Sequence, residues 1–476
     1  MVILPAKLVR GRLSLPGDKS ISHRAAMFAA LADGISRIEG FSTSADCAST
    51  LSCLRRLGVR IERHNATVVI QGAGKAGLQA PSEPLDCGNS GTTMRLLAGI
   101  LAGQPFTSIV TGDQSLRSRP MRRIIEPLEL MGAKVSSANG RAPISIEGRS
   151  PLKAISYDLP IPSAQVKSCV LLAGLNAQGR TEIVENAGTE PLGGASGSSS
   201  ETALSSLYTR GATRDHTERM LRWFGVPSET RNEDRNGLHT QVAAVNGPVG
   251  LHARDTSVPG DVSSAAFFTA AAALLPGSDL ELAHVGMNPT RDLFLRLLAS
   301  RGASVTVNGV REECNELVGT VQVAGGVSNP NPSSGDAAGN TESNRGNSPR
   351  LIRGALIPQL IDELPLLAVV GTQVPGGIEI RGAAELRVKE SDRISATVEN
   401  LRAMGAEVAE FDDGLRVTGP AQLHGASIEP RGDHRIAMAF TVAALIADGE
   451  SEIRDAECVA VSFPEFFDLL ESVVER

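Results

Sequence analysis

One pattern recurs along this chain and strongly limits its fold: a helix-like run ends in glycine and leads directly into a short strand. Each copy reads Leu-x-x-x-Gly, and the glycines are Gly58, Gly132, Gly225, Gly302 and Gly405. Glycine is favoured where a helix ends in the left-handed conformation, so each copy predicts a helix, a glycine C-cap and a strand. The sequence therefore predicts a repeated α/β unit.

The spacings between these glycines are 74, 93, 77 and 103 residues. The two long spacings contain segments rich in Gly, Ser, Asn and Pro, at 187–211 and 325–349, which we expect to be flexible surface insertions. Without them every spacing is about 70–80 residues, which suits a βαβαββ unit and not a solenoid turn.

A second similarity indicates duplication. The segments 15–41 and 258–285 both read as strand, Pro-Gly-Asp turn, serine-rich N-cap, apolar helix, glycine and strand. With 476 residues the chain is also too long for one core, which stops growing near ~250–300 residues. We therefore predict two lobes of three units each, 17–245 and 1–16 plus 246–476, with alanine-rich helices buried in each lobe and a ligand between the lobes.

Composition excludes several classes of protein. The net charge is −7 and aromatic residues make up 3%, which is unfavourable for nucleic-acid binding. The six cysteines form no CxxC pair, so we expect reduced thiols and no zinc site. No secretory signal and no apolar run of about 20 residues is present, so a cytoplasmic, membrane-free protein is expected.

Three helix starts in the first half combine glycine or small polar residues with cationic ones. They are Gly17–Arg24, Cys87–Arg95 and Gly112–Arg123, and the last has four arginines in seven residues. Helix N-termini and arginines bind carboxylates and phosphates, although capping, tight turns and a solvated charged face explain the same residues. The candidate groups are Lys19, Ser20 and Arg24 in the first segment, the backbone N–H groups of the second, and at least one of the four arginines in the third.

Two further segments are polar helix starts. Pro162–Ser168 either caps a helix or binds a hydroxylated ligand. Thr213–Glu218 contains Arg214 and His216; a lone histidine at a helix start is more often capping or paired than catalytic.

The second half supplies carboxylates beside basic residues. Asp362 precedes an apolar helix, Arg387–Arg393 carries five charges in seven residues, and Gly432–Arg435 opens another helix as a further candidate anion site. A salt-bridged surface turn is the alternative explanation for 387–393. Together these motifs favour an enzyme that acts on multiply charged small anions, and the absence of GxGxxG after the first strand argues against nicotinamide chemistry.

The chain resembles the 5-enolpyruvylshikimate-3-phosphate (EPSP) synthase family in six motifs, in this order: PGDKSISHRA, GNSGTTMRLLAG, SLRSRPM, SAQVKS, RVKESDRI and DHRIAMAF. The resemblance runs over nearly the whole chain apart from the two insertions, which are not typical of the family. It implies the two-lobe enolpyruvyl transferase fold, an inside-out α/β barrel with three βαβαββ units in each lobe.

The resemblance also implies an activity. The family transfers the enolpyruvyl group of phosphoenolpyruvate to the 5-hydroxyl of shikimate 3-phosphate and releases phosphate, by addition and elimination, on the route to chorismate and aromatic amino acids. It uses no metal or organic cofactor, and we expect a monomer.

Site residues follow by motif. The resemblance assigns shikimate 3-phosphate to Lys19, Ser20, Arg24, Ser163, Ala164, Gln165, Arg214, Asp362 and Lys389. It assigns phosphoenolpyruvate to Lys19, Gly91, Arg119, Gln165, Arg393 and Arg435. Asp362 would accept the hydroxyl proton, Glu390 would exchange a proton with the enol carbon, and Lys19 and Lys389 complete the catalytic set.

Some details of the sequence bear on inhibition by glyphosate and on the alternative functions. GDKS, SAQVK, RDHTE and NPTR (288–291) resemble the glyphosate-tolerant class II branch, but Gly91 leaves space where a tolerant enzyme can carry alanine, so glyphosate remains an expected inhibitor. Val461 stands where many relatives have a phosphoenolpyruvate-binding lysine. The rivals are the UDP-N-acetylglucosamine enolpyruvyl transferase, whose reactive loop cysteine SLRSRPM lacks, and a non-catalytic anion-binding protein of the same fold.

Overall fold

The computed structural model describes residues 1–186, 213–235, 238–300, 302–326 and 350–476. The chain divides into two compact units. Unit A comprises Pro16–Pro259 and Glu312–Leu317; unit B comprises Met1–Leu15, Gly260–Arg311 and Val318–Arg476. The expected insertion 187–211 and all but two residues of 325–349 lie outside the described residues.

Unit A contains three small sheets with one topology. In each, a leading strand runs parallel to a second strand, and that strand pairs antiparallel with a hairpin. The first sheet consists of β3 (Ala32–Glu39), β4 (Arg60–His64), β5 (Thr67–Ala73), β15 (Leu251–His252) and β16 (Thr256–Ser257). The second consists of β6 (Leu85–Asp86), β7 (Thr107–Thr111), β8 (Lys134–Ala138) and β9 (Arg141–Glu147). The third consists of β10 (Leu152–Lys153), β11 (Ser156–Asp158), β12 (Ala177–Asn186), β13 (Ser228–Arg235) and β14 (Leu238–Gly247).

Two described sheets of unit B follow the same plan, and a third keeps the parallel pair but has the single strand β1 in place of the hairpin. One consists of β2 (Leu8–Ser14), β17 (Asp279–Gly286), β18 (Ser304–Glu313), β19 (Glu316–Ala324) and β26 (Val474–Glu475). Another consists of β20 (Arg350–Ile352), β21 (Ile378–Ile380), β22 (Val408–Phe411) and β23 (Gly414–Val417). The last has three strands, β1 (Val2–Ile3), β24 (Ser427–Ile428) and β25 (Ser451–Ile453). The predicted α/β class and its repetition are therefore confirmed.

Helices connect these strands. Those of unit A are α1 (Lys19–Leu31), α2 (Ala45–Arg56), α3 (Gly91–Ala102), α4 (Gln114–Ser118), α5 (Arg122–Leu130), α6 (Ala164–Gly174) and α7 (His216–Trp223). Those of unit B are α8 (Val262–Leu274), α9 (Leu293–Ala299), α10 (Leu356–Leu360), α11 (Leu364–Gly371), α12 (Arg393–Ala403), α13 (His434–Leu445) and α14 (Phe466–Glu471), with 3-10 helices at Ala384–Val388 and Ala456–Val461. As the alanine-rich sequences predict, α8 and α13 are buried on nearly all sides, because their small apolar surfaces leave no solvated face.

The glycine prediction is confirmed at every copy of the repeat. Each glycine follows its helix with a φ in the left-handed region, with values of 86°, 100°, 82°, 84° and 88° along the chain. A side chain at these positions would be strained, so the pattern found in the sequence marks real helix ends.

The domain boundary differs from the expected one. Residues 246–259 lie in unit A, because β15 and β16 there run parallel to β3 and complete its sheet, with Leu251 opposite Ala32 and Thr256 opposite Ile38. The strands that run parallel to β3 in the first sheet of unit A thus come from residues that follow the third sheet in sequence. In the sheet of β17 in unit B the corresponding parallel strand is β2, which lies near the start of the chain.

Helix caps also differ from expectation. The prediction of serine caps is wrong for both Pro-Gly-Asp segments, because the aspartates cap the helices. Asp18 accepts from the Ile21 amide and Asp261 from the Ser263 amide, each at 2.8 Å. A carboxylate both accepts the free amide and interacts favourably with the positive end of the helix dipole, so it is the stronger cap.

Candidate active-site residues

The first motif places Lys19 and Arg24 on α1. Lys19 begins the helix and its Nζ lies 2.9 Å from Oδ2 of Asp46, while both side chains remain only slightly exposed. Asp46 is linked onward, because its carbonyl accepts from Thr93, whose hydroxyl also contacts Ser90. The start of α1 and the start of α3 therefore belong to one hydrogen-bonded group.

Arg24 is 3% exposed and is held by neutral oxygens. Its Nε donates to Thr217 Oγ1 at 2.7 Å, its Nη2 to Ser168 Oγ at 2.8 Å and its Nη1 to the Ser20 carbonyl at 2.9 Å. A guanidinium has five N–H groups, so among the described residues one N–H on each terminal nitrogen remains for a ligand. Two such groups in one plane suit bidentate binding of a carboxylate or phosphate.

The electrostatics of Arg24 follow from this burial. Desolvation lowers the pKa of Arg24 to about 10, although Glu218 and Asp18 oppose the shift and the charge of Arg214 adds to it. The charge of Arg214 therefore acts on Arg24 in the same direction as burial. Two cations that influence each other in a poorly solvated place favour an anionic ligand.

The second and third motifs meet at Gly91. A Cβ added there would lie 2.7 Å from Nη1 of Arg95 and 3.4 Å from Nη1 of Arg119, so the absence of a side chain lets both guanidinium groups approach the start of α3. Arg119 is 6% exposed and donates to Asn89 Oδ1 at 2.7 Å. The interpretation of the arginine-rich segment as a wholly solvated face is therefore wrong for Arg119.

The fourth motif is both a cap and a neighbour of these arginines. Ser163 caps α6 by accepting from the Val166 amide at 3.4 Å, as the capping interpretation predicts. Gln165 accepts from Arg95 Nη1 at 2.7 Å and donates to Thr92 Oγ1 at 3.0 Å, and the Ala164 carbonyl accepts from Ser168. Arg95 was not among the predicted site residues, although it ends the second motif; its signal was a basic residue one helical turn after Gly91.

The fifth motif contains a paired histidine. His216 is buried, and its Nδ1 lies 2.6 Å from Oε1 of Glu316, so the prediction that this histidine is paired is confirmed.

In unit B a single arginine gathers three carboxylates. Arg393 begins α12, is 1% exposed, and its Nε donates to Asp433 at 2.8 Å while its Nη2 donates to Glu390 at 2.7 Å. Oδ1 of Asp362 lies 3.5 Å from its Nη1. Burial alone would lower the pKa of Arg393, but Asp433 and Glu390 outweigh it and raise the pKa above the ordinary value.

The remaining unit B candidates, Lys389 and Arg435, lie within two residues of Glu390 and Asp433 in the sequence. Lys389 donates to Glu385 at 2.9 Å, and both side chains are about one quarter exposed. Arg435 is 6% exposed, and its guanidinium carbon lies 5.8 Å from the centre of the Phe267 ring. The carboxylate of Asp433 caps α13 through the Arg435 amide at 2.9 Å. The helix start is thus already occupied by a protein carboxylate, so an added anion would have to use the Arg435 side chain.

The candidates are divided between the two units. Unit A holds Lys19, Ser20, Arg24, Gly91, Arg119, Ser163, Ala164, Gln165 and Arg214; unit B holds Asp362, Lys389, Glu390, Arg393 and Arg435. Val461, where relatives carry lysine, ends a 3-10 helix and is half-buried. Within the described ranges no three His, Cys, Asp or Glu side chains are arranged to hold a metal ion, and no helix is long and apolar enough to cross a membrane.

Comparison with known proteins covers the whole chain. The family model described as EPSP synthase (3-phosphoshikimate 1-carboxyvinyltransferase) matches residues 4–192 and 194–470. A protein of Koribacter versatilis named 3-phosphoshikimate 1-carboxyvinyltransferase is 50% identical over 100% of this chain and 99% of its own length. One of the same name from Geobacter sp. (strain M21) is 43% identical over 100% of this chain and 99% of its own length.

A solved structure agrees with these relatives. The EPSP synthase from Acinetobacter baumannii is 39% identical and superimposes with a TM-score of 0.77, covering 99% of this chain and 98% of that one. Since sequence and structure match over nearly their full lengths, this chain belongs to the EPSP synthase (3-phosphoshikimate 1-carboxyvinyltransferase) family.

Proposed function

We propose that this chain is a 3-phosphoshikimate 1-carboxyvinyltransferase, which moves the enolpyruvyl group of phosphoenolpyruvate onto the 5-hydroxyl of shikimate 3-phosphate. The observation that carries the proposal is the full-length match, at 50% identity, to an enzyme of this name. The cationic group of unit A and the carboxylate group of unit B support it, because the reaction needs both anion binding and proton transfer.

In unit A the cationic side chains hold the substrate anions. Arg24, with its two remaining N–H groups, Arg214 and Lys19 would bind shikimate 3-phosphate with Ser20, Ser163, Ala164 and Gln165. Lys19, Gly91, Arg119 and Gln165 would contact phosphoenolpyruvate, helped by Arg393 and Arg435 of unit B. Two phosphates and two carboxylates on the substrates require about this many cationic groups.

In unit B the carboxylates move protons. Asp362 accepts the proton of the 5-hydroxyl group while the oxygen of that hydroxyl bonds to C2 of phosphoenolpyruvate. At the same time C3 of phosphoenolpyruvate receives a proton from Glu390. In the elimination step C3 returns that proton to Glu390, the C2–C3 double bond re-forms, and the bond from C2 to the phosphate oxygen breaks. General acid–base groups of this kind contribute roughly 10²–10⁴-fold to the rate. Lys389 would balance the charges that develop between the two substrates.

Further properties follow from the same proposal. The six free cysteines suit a reducing cytoplasm, and the net charge of −7 disfavours nucleic-acid binding; we expect a monomer. Glyphosate is the inhibitor to test, because position 91 is glycine where a tolerant class II enzyme can carry alanine.

The test is phosphate release by the purified chain with shikimate 3-phosphate and phosphoenolpyruvate, without added metal. Release that requires both substrates is expected. Release with UDP-N-acetylglucosamine in place of shikimate 3-phosphate would identify the rival transferase. No release with either acceptor, from protein shown to be folded, would leave the family assignment and remove the activity.

A further inference from the structure

A buried group of charges lies behind the proposed shikimate 3-phosphate side chains of unit A. Nζ of Lys167, on α6, lies 3.0 Å from Glu185 on β12 and 2.9 Å from Glu218 on α7. None of these side chains is more than 2% exposed. Neither the sequence motifs nor the proposed reaction assigns a role to this lysine.

Lys167 is held in its charged form, although burial raises the pKa of Glu218 above its ordinary value. Burial alone would lower the pKa of Lys167, but the two carboxylates outweigh it and raise the pKa above its ordinary value. One ammonium faces two carboxylates, so a second cation is needed for balance. Arg24 is a candidate for this cation, because the charge of Glu218 raises the pKa of Arg24.

Two consecutive residues of α6 meet two consecutive residues of α7. Lys167 pairs with Glu218, and beside this pair Ser168 Oγ lies 2.6 Å from Thr217 Oγ1. Ser168 donates its single proton to the Ala164 carbonyl at 2.6 Å, so Thr217 donates to Ser168. Both hydroxyl oxygens then accept from Arg24, which fixes the plane of its guanidinium group.

The same lysine is connected to the second arginine. Nζ of Lys167 donates to the carbonyl of Thr213 at 3.3 Å, and the hydroxyl of Thr213 donates to Glu185. Thr213 directly precedes Arg214, so the backbone at Arg214 is attached to the buried ion group.

We propose that Lys167 is a positioning residue that holds Arg24 and Arg214 in the arrangement that binds shikimate 3-phosphate. The choice of ligand rests on the proposed function. The positioning itself rests on the contacts of Lys167 with Glu218 and Thr213. A lysine with only a structural role would affect stability and leave substrate affinity unchanged.

The test compares Lys167→Met with Val170→Ala, a matched variant that removes buried volume from the same helix without touching either arginine. Calorimetry should give a dissociation constant for shikimate 3-phosphate at least tenfold higher in Lys167→Met, with the KM for phosphoenolpyruvate within twofold of wild type. Val170→Ala should lose thermal stability and keep wild-type affinity. Lys167→Arg, which retains the charge, should lie between wild type and Lys167→Met.

Removing the lysine leaves two buried carboxylates without their partner, which can prevent folding. Thr217→Val then tests the connection to Arg24 with all charges retained, and a fivefold or greater rise in the dissociation constant is expected. Wild-type affinity in folded Lys167→Met, or in Thr217→Val if Lys167→Met does not fold, would overturn the proposal.

Amide hydrogen exchange separates this proposal from the proposed function. If wild-type protein does not bind shikimate 3-phosphate, the function fails, and exchange in segment 213–218 decides the positioning. Faster exchange there in Lys167→Met than in Val170→Ala supports it, and so does faster exchange in Thr217→Val if Lys167→Met does not fold. Rates no faster than those of Val170→Ala overturn it.

Discussion

Arg24 in unit A and Arg393 in unit B are both almost fully buried, yet their surroundings are opposite. Arg24 donates to two hydroxyls and a carbonyl, and its pKa falls to about 10 because burial outweighs the more distant carboxylates. Arg393 lies against Asp433, Glu390 and Asp362, which raise its pKa. The hydrogen-bond partners of Arg24 carry no charge, whereas three protein carboxylates surround Arg393.

This difference indicates that the two arginine side chains have different roles. Neutral acceptors orient Arg24 without cancelling its charge, as an anion-binding group requires. Arg393 instead contacts Glu390 and Asp433 and lies near Asp362, so it organises the proposed proton-transfer groups in addition to its proposed contact with phosphoenolpyruvate. Substitutions around the two arginines should therefore have different consequences.

The largest effect is expected from Asp362→Asn. The variant removes the proposed base from the carboxylates around Arg393, so kcat should fall by about 10²–10⁴-fold. Binding of shikimate 3-phosphate should stay within about tenfold, as calorimetry can measure. An unchanged kcat would rule out Asp362 as the base.

Asp433→Asn should mainly reduce stability. Asp433 is fully buried and makes two hydrogen bonds to Arg393, and asparagine retains the cap on α13 while losing the charge. We expect the free energy of unfolding to fall by about 2–4 kcal/mol in urea titrations. The control is Asp413→Asn, whose partly exposed pair with Arg381 should be worth less than about 1 kcal/mol. Equal losses would contradict the importance of the buried cluster.

Arg24→Gln should act on affinity. Glutamine keeps an N–H donor but loses the charge, so the loss of about one charge-assisted hydrogen bond, worth about 1.5–3 kcal/mol, should raise the dissociation constant for shikimate 3-phosphate by about 10–100-fold. Arg37→Gln, at an exposed pair with Glu39, serves as the control and should bind as wild type does. A twofold change in Arg24→Gln would show that its charge is not used for this ligand.

The cationic surroundings of Arg24 also predict a pH dependence. His23 is buried, and its pKa is well below 6.5 because of burial and then the charges of Lys19 and Arg24. The unfolded chain takes up this proton near pH 6.5 while the folded chain resists it, so stability falls as pH drops below 6.5. Between pH 7 and pH 5 the stability advantage of wild type over His23→Gln should shrink by about 2 kcal/mol. A constant difference would contradict the lowered pKa.

The smallest effect is expected at Glu385→Gln. Its pair with Lys389 is partly exposed and therefore worth about 0.2–1 kcal/mol. Releasing Lys389 should lower the KM for the substrates by no more than about fivefold. A rise in KM would show instead that Glu385 positions the lysine.

Several features were predictable because their causes are local. The five repeat glycines were found from sequence, since a left-handed helix end is a property of one residue and its neighbours. The burial of α8 and α13 followed from their alanine-rich sequences, which are apolar on nearly all sides. The motif residues of the candidate site could be named, since each motif is a short segment.

Other features could not be predicted from the sequence, because they depend on contacts between residues far apart in the chain. The sequence did not predict that residues 251–257 complete the sheet of β3, because strand pairing depends on partners more than 200 residues away. Arg95 and Lys167 lie inside recognised motifs but were not singled out, since nothing in their own segments indicates which groups they contact.

The sequence by itself therefore determined the repeated α/β architecture, the helix ends and the family with its candidate residues. Only the tertiary structure decided that Arg24 lies among neutral oxygens, Arg393 among carboxylates and Lys167 beneath the anion-binding side chains. The physical reason is that the environment of a buried charge is set by the groups that folding brings around it. Those groups come from helices and strands far apart in the chain.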